Sequence, residues 1–144
     1  MTEINRLDKI TGDRVKSREP SYSDFLTNFN KHPDTGILSK NINENAVKRS
    51  IRNLILTNKG EALFNPNKGS DIRKLLFENM SDVTESLLKT YITDVIREFE
   101  PRCNLIDVIV VANYNNNLYN IAIVFQIINN NENITLTLQL DRIR

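Results

Sequence analysis

The sequence predicts an α+β fold: three helices followed by a three-stranded antiparallel β-meander, with an extended N-terminal arm ahead of them. Three observations carry this. Apolar residues recur at a helical period from about residue 43 to residue 99, then at a period of two. The change falls at Glu100-Pro101-Arg102, and a residue before proline is pushed out of the helical region. Two asparagine-rich stretches, NNN and NNNEN, then cut the alternating region into three pieces, the pattern of a meander.

Residues 1–40 form the arm and residues 41–144 the domain. The arm is polar, with Pro20, Pro33 and Gly36 leaving little room for a helix. Its aromatics Tyr22, Phe25 and Phe29 are expected to anchor it, either on this domain or on a neighbouring subunit. HPDTG supplies Pro33 and Asp34 for a turn. Order is expected to begin near Asn43. In NENAVKRSIRNLILTNKG, Val47, Ile51, Leu54 and Ile55 share a helical face, and Gly60 suits the helix end. EALFNPNKGS reads as a loop punctuated by Pro66 and Gly69. A second helix is expected in SDIRKLLFENM, with Ser70 as its N-cap and Ile72, Leu75 and Leu76 as its apolar face. Asp82 and Glu85 resemble a capping box for the third, in which Val83, Leu87, Leu88, Tyr91, Ile92, Val95, Ile96 and Phe99 repeat at helical spacing.

LIDVIVVANY, LYNIAIVFQII and ITLTLQLDRI are the three strands. The last alternates cleanly, with Ile134, Leu136, Leu138 and Leu140 opposite Thr135, Thr137 and Gln139. The first two do not. Ile106, Val108 and Val110 occupy one face, yet Ile109 and Val111 occupy the other, and Ala122, Val124 and Ile128 back a row of isoleucines and Phe125. A sheet with one wet face alternates better than this, so the second face is expected to be covered by the arm or by another chain.

Composition narrows the chemistry. The 144 residues suit one domain, with 40% hydrophobic and 26% charged residues, and the net charge of +1 projects no field toward nucleic acid or an anionic membrane. The N-terminus has no apolar stretch of a signal peptide, and the longest apolar runs fall far short of a membrane span. One cysteine allows no internal disulfide and fits a reducing compartment. With one histidine and one cysteine, the usual zinc sites are excluded, and the expectation is no metal and no cofactor. His32 reads as a solvated turn residue and Cys103 as a packed thiol. The four glycines are isolated, so no phosphate-cradling loop is present. Asn133-Ile134-Thr135 matches a glycosylation acceptor but lacks a secretion signal. Glu98 and Glu100 could suggest a glycosidase pair, yet three helices and a small meander offer no sugar-sized cleft. Lys48, Arg49, Arg52 and Lys59 alternate with apolar residues as on an amphipathic surface helix, and nucleic-acid binding is not expected. The expectation is a protein without catalysis.

Glu100-Pro101-Arg102 remains. A plain stop would need only the proline. Pro101 fixes its own φ and so sets the direction of the two charged side chains, and arginine suits a planar, bidentate pair. One reading is an internal Glu–Arg bridge that orients the first strand. The other is a rigid charged knuckle presented to a partner.

The block NENAVKRSIRNLILTNKGEALFNPNKGSDIRKLLFENM, followed by EFEPR and three strands, resembles the short baseplate-wedge protein of contractile-tailed bacteriophages. This is the sheath-initiator family related to the TssE baseplate subunit of type VI secretion. The resemblance covers about residues 22–144, with Phe64-Asn65-Pro66 at the family's aromatic-x-Pro turn and Gly69 at its turn glycine. It implies a structural protein of the virion, assembled in the host cytoplasm. Implied partners are other baseplate wedge proteins, tail sheath subunits and tail-tube-proximal baseplate proteins. Glu100, Pro101 and Arg102 would contact the inner wedge bundle, and the sheet would template the first sheath ring. A tail-associated muramidase is the alternative. From Ile134 through Thr135, Leu136, Thr137, Leu138 and Gln139 to Leu140 the last strand carries no charge or proline, and such an edge can accept a strand from a sheath subunit.

Overall fold

Eight elements follow one another along the chain: β1 (Ser23–Phe25), β2 (Lys40–Ile42), α1 (Asn43–Leu56), α2 (Ile72–Leu75), α3 (Asp82–Phe99), β3 (Cys103–Asn113), β4 (Leu118–Ile127) and β5 (Asn133–Asp141). The computed structural model describes residues 22–25, 31, 33, 36–128 and 132–143.

The longest helix is the one the sequence marks best. Ser81 caps α3 by accepting the N–H of Thr84, one residue ahead of the expected start. Glu85 does not close a capping box; its carboxylate reaches β3 instead. The helix ends where Pro101 requires, with Glu100 as C-cap. α1 begins at the expected Asn43 but stops at Leu56, where the Thr57 N–H bonds Asn53 O, so Gly60 belongs to the following turn. The second helix is a single turn. Ser70 does not cap it, because its hydroxyl donates to Ile55 O and ties the loop back to α1.

β3, β4 and β5 form the expected antiparallel meander with β4 in the centre. Helices do not simply precede strands, however. β1 and β2 pair as a separate two-stranded sheet ahead of α1, and the Asn43 N–H bonds Tyr22 O. The arm contributes to this pair through Ser23–Phe25, because strand pairing with Lys40–Ile42 needs only a short extended run.

One face of the large sheet carries the core. Tyr119, Ile121, Ile123, Phe125 and Ile127 of β4 meet Val47, Ile51 and Ile55 of α1 and Leu88, Ile92 and Ile96 of α3. α3 packs mainly along β3, and α1 lies toward β5. Burying such aliphatic side chains contributes about 1.5–3 kcal/mol apiece. The alternation breaks at one place. Register shifts between Leu105 and Asp107, so Ile106 is an extra residue that leaves the expected row of Val108 and Val110 and faces solvent.

The other face holds Ile109 and Val111 beside Ala122, Val124, Thr135 and Thr137. Ile109 and Val111 remain 47% and 53% exposed, in a hollow of about 680 Å³. β1 and β2 make their contacts with α1. The apolar residues there are real, and within the described chain they are not covered.

Candidate docking surfaces

The junction between α3 and β3 is a bidentate ion pair. Arg102 Nε donates to Glu100 Oε1 at 2.6 Å and Nη2 to Oε2 at 2.8 Å. Glu100 is 2% exposed, while the Arg102 side chain is 30% exposed. Burial works against the carboxylate charge. The hydrogen bonds from Arg102 and Ser50 and the charge of the guanidinium outweigh it and hold the Glu100 pKa below the usual 4.5. The Tyr22 ring lies 5.9 Å from the Arg102 guanidinium carbon. The Arg102 C=O accepts the Ile128 N–H at 3.0 Å, so the same residue pins the start of β3 to the end of β4. Both carboxylate oxygens of Glu100 face inward to Arg102. What the knuckle shows to the outside is Pro101 and the exposed part of Arg102.

The arm aromatics separate. Tyr22 packs against the core and beneath Arg102. Phe25 is exposed, with Lys40 Nζ 5.9 Å from its ring centre. Phe29 lies outside the described residues, as does His32.

The two edges of the meander differ. Ala112 of β3 donates its N–H outward to Glu85 Oε1 on α3 at 3.0 Å, and the Val108 N–H bonds its neighbour Asp107 at 2.8 Å. Asp107 is also held by Lys89 of α3 at 3.0 Å. A helix carboxylate and the aspartate beside the bulge thus occupy two outward donors of the β3 edge, ways in which proteins protect unpaired strands.

The β5 edge follows from the same alternation. Because Ala112 points outward, it does not bond its partner Tyr119 across the β3–β4 pair, and Tyr119 must turn its N–H and C=O toward β5, opposite Leu140. Leu140, Leu138 and Leu136 then face inward to β4. Arg142, of the same parity, donates to Asn117 O at 2.9 Å, as this requires. Thr135, Thr137 and Gln139 consequently direct N–H and C=O away from the sheet. Ile143 continues that row and bonds Leu76 O at 3.0 Å, which closes it at one end. No partner for the outward groups of Thr135, Thr137 and Gln139 occurs among the described residues.

Beside this edge runs the polar flank of α1. Lys48, Arg49 and Arg52, with Asn41, Asn45, Asn53 and Leu136 of β5, line a groove of about 390 Å³. Sequence reasoning treated these cations as a solvated helix face. It also missed Glu85, whose bond to Ala112 spans 27 residues and has no local signal.

Chemistry is sparse. Glu98 is exposed and Glu100 is engaged by Arg102, so the two acids do not flank a common cleft. Burial pushes the Cys103 thiol up to about 11, and the nearby Glu100 charge adds to this. Among the described residues, no cluster of His, Cys, Asp and Glu could hold a metal ion, and no helix is long and apolar enough to cross a membrane.

Comparison with known proteins places this architecture. The baseplate wedge protein gp25 of Enterobacteria phage T4 is 32% identical over 79 residues, a match spanning 55% of this chain and 60% of that protein. Two solved structures share the fold. A Geobacter sulfurreducens crystal structure described as a tail lysozyme has a TM-score of 0.63 at 21% identity, covering 68% of this chain and 89% of that one. A chain of the anti-feeding prophage baseplate has a TM-score of 0.59 at 23% identity, covering 82% and 83%. Residues 43–132, more than half of the chain, match the family model of baseplate wedge protein gp25, and the chain belongs to that family.

Proposed function

We propose that the protein is a structural subunit of the tail baseplate wedge that docks on inner wedge proteins and offers β5 as a template for the first tail sheath subunits. The observation that carries this is the asymmetry of the sheet. On one edge Glu85 and Asp107 take the outward N–H groups of Ala112 and Val108, while three consecutive outward-facing residues of the other have no partner among the described residues. An unprotected regular edge is an aggregation hazard for an isolated protein and a binding site in an assembly. Wedge docking through Glu100-Pro101-Arg102 would use the exposed Pro101 and Arg102 surface, with Glu100 holding Arg102 in place. Tyr22 would fix the arm to the same corner.

The test is Thr137→Pro in baseplates reconstituted with sheath subunits. Thr137 turns its N–H outward, so proline removes a donor from the free edge and leaves the bonds to β4 in place. A folded Thr137→Pro protein is expected to join the baseplate and fail to start sheath, with Thr137→Ala behaving as wild type. Normal sheath growth on the folded proline variant rules out strand addition. A tail muramidase is the reading raised by the described name of one structural relative, at an identity that speaks for fold alone. Peptidoglycan turnover that disappears in Glu98→Gln would establish it.

A further inference from the structure

We infer that the strand accepted by β5 is acidic on one face, carrying Asp or Glu at alternate positions against Lys48, Arg49 and Arg52. This rests on the strand-addition reading and specifies the partner. A new strand beside β5 lies about 4.8 Å beyond it, and its alternate side chains point to the two faces of the sheet. Those on the helical face arrive over α1, because α1 is the helix that contacts β5. The groove they would enter is lined by Lys48, Arg49 and Arg52 and by no acidic residue. None of the three cations has an ion-pair partner among the described residues. Glu44 lies one turn ahead of Lys48 on α1, and Asp141 lines the hollow on the far face of the sheet, but neither pairs with them. Arg52 lines both the groove and that hollow, which places it at the open edge itself.

Leu136 forms the one apolar part of the groove. The matching strand therefore has acids flanking one central aliphatic residue on its helical face. Its other face continues the row of Thr135, Thr137 and Gln139 and calls for small polar or β-branched residues. Open backbone groups beside the cations favour a peptide over a nucleic acid, whose backbone cannot enter a β-ladder.

The experiment uses the full chain and two synthetic nine-residue peptides that alternate threonine with glutamate, or with glutamine, around a central leucine. Binding is followed by amide NMR, so that shifts at Thr135, Thr137 and Gln139 report the edge. The glutamate peptide is expected to bind about tenfold more tightly at low salt, the combined size of several exposed charge pairs. The preference should vanish in 1 M salt, where the Debye length is about 3 Å. The triple variant Lys48→Gln, Arg49→Gln, Arg52→Gln should bind both peptides equally, with a melting curve confirming its fold. Equal binding of the two peptides to the wild-type edge overturns the acidic partner and leaves strand addition standing. A glutamate preference that survives in the triple variant also overturns it. A thymidine oligonucleotide that binds more tightly than the glutamate peptide, and loses binding in the triple variant, assigns the cations to phosphate instead. If neither peptide shifts the edge amides, strand addition itself fails and this inference falls with it.

Discussion

Removing Arg102 should damage this protein more than removing the charge of Glu100. In Arg102→Ala the Glu100 carboxylate, 2% exposed in the wild type, loses both guanidinium bonds and keeps Ser50 and the backbone N–H of residue 102. Leaving one partner of a buried pair uncompensated costs about 3–5 kcal/mol. Glu100→Gln leaves a guanidinium that is 30% exposed and can turn to water, so its cost is about 1–2 kcal/mol. For a domain of this size the larger loss lowers Tm by roughly 10–20 °C. The double variant should recover part of the Arg102→Ala loss, since no buried charge is left. pH gives the second signature. In the wild type the Glu100 pKa is below 4.5, so the pair stabilises fully above that value and its contribution fades as pH falls through the depressed pKa. In Arg102→Ala burial is opposed only by Ser50 and the backbone N–H of residue 102, so the pKa rises, protonation relieves the penalty and the gap to wild type narrows from pH 7 to pH 4. Thermal melts of the four proteins at both pH values decide the matter. An Arg102→Ala protein within 3 °C of wild type (on the order of 1 kcal/mol), or a gap that widens in acid, refutes the account.

Gly69→Ala should destabilise the fold by about 3 kcal/mol or more, because its φ is +127° and an added Cβ would sit 2.7 Å from Thr57 O; chemical denaturation measures this. Ser81→Ala removes the one side-chain cap of α3 and should cost about 1 kcal/mol in the same assay. Cys103, buried and with its pKa near 11, should resist thiol-directed disulfide reagents at pH 8 in the native protein and react once the chain is unfolded. Rapid native labelling would contradict the packing described for the α3–β3 junction.

Much of the fold was legible because its signals are local. The eight apolar positions of α3, the stop at Pro101 and the asparagine turns each act within a few residues. Asn117, for instance, adopts φ +52° in the β3–β4 turn, a conformation asparagine tolerates better than most residues. Misses occurred where a side chain chose a distant partner over the near one. Ser70 bonds Ile55 O instead of capping α2, and Glu85 bonds Ala112 instead of closing a capping box. Ile106 looks like its neighbours in sequence, and only the register with β4 makes it the extra residue of a bulge.

Sequence alone determined that a long helix runs into a charged proline junction and that three strands follow, because periodicity and backbone restriction operate within each segment. It also placed the glutamate and arginine two residues apart, which made both an internal bridge and an outward knuckle available. Tertiary structure set the geometry of that pair. Burial of Glu100 beside Ser50 of α1 turned its carboxylate inward to Arg102, and the packing of α3 along β3 brought Glu85 to that sheet edge while the outward groups of β5 stayed open. Those outcomes depend on which elements lie side by side, and that is set by burial of a shared core spread over the whole domain.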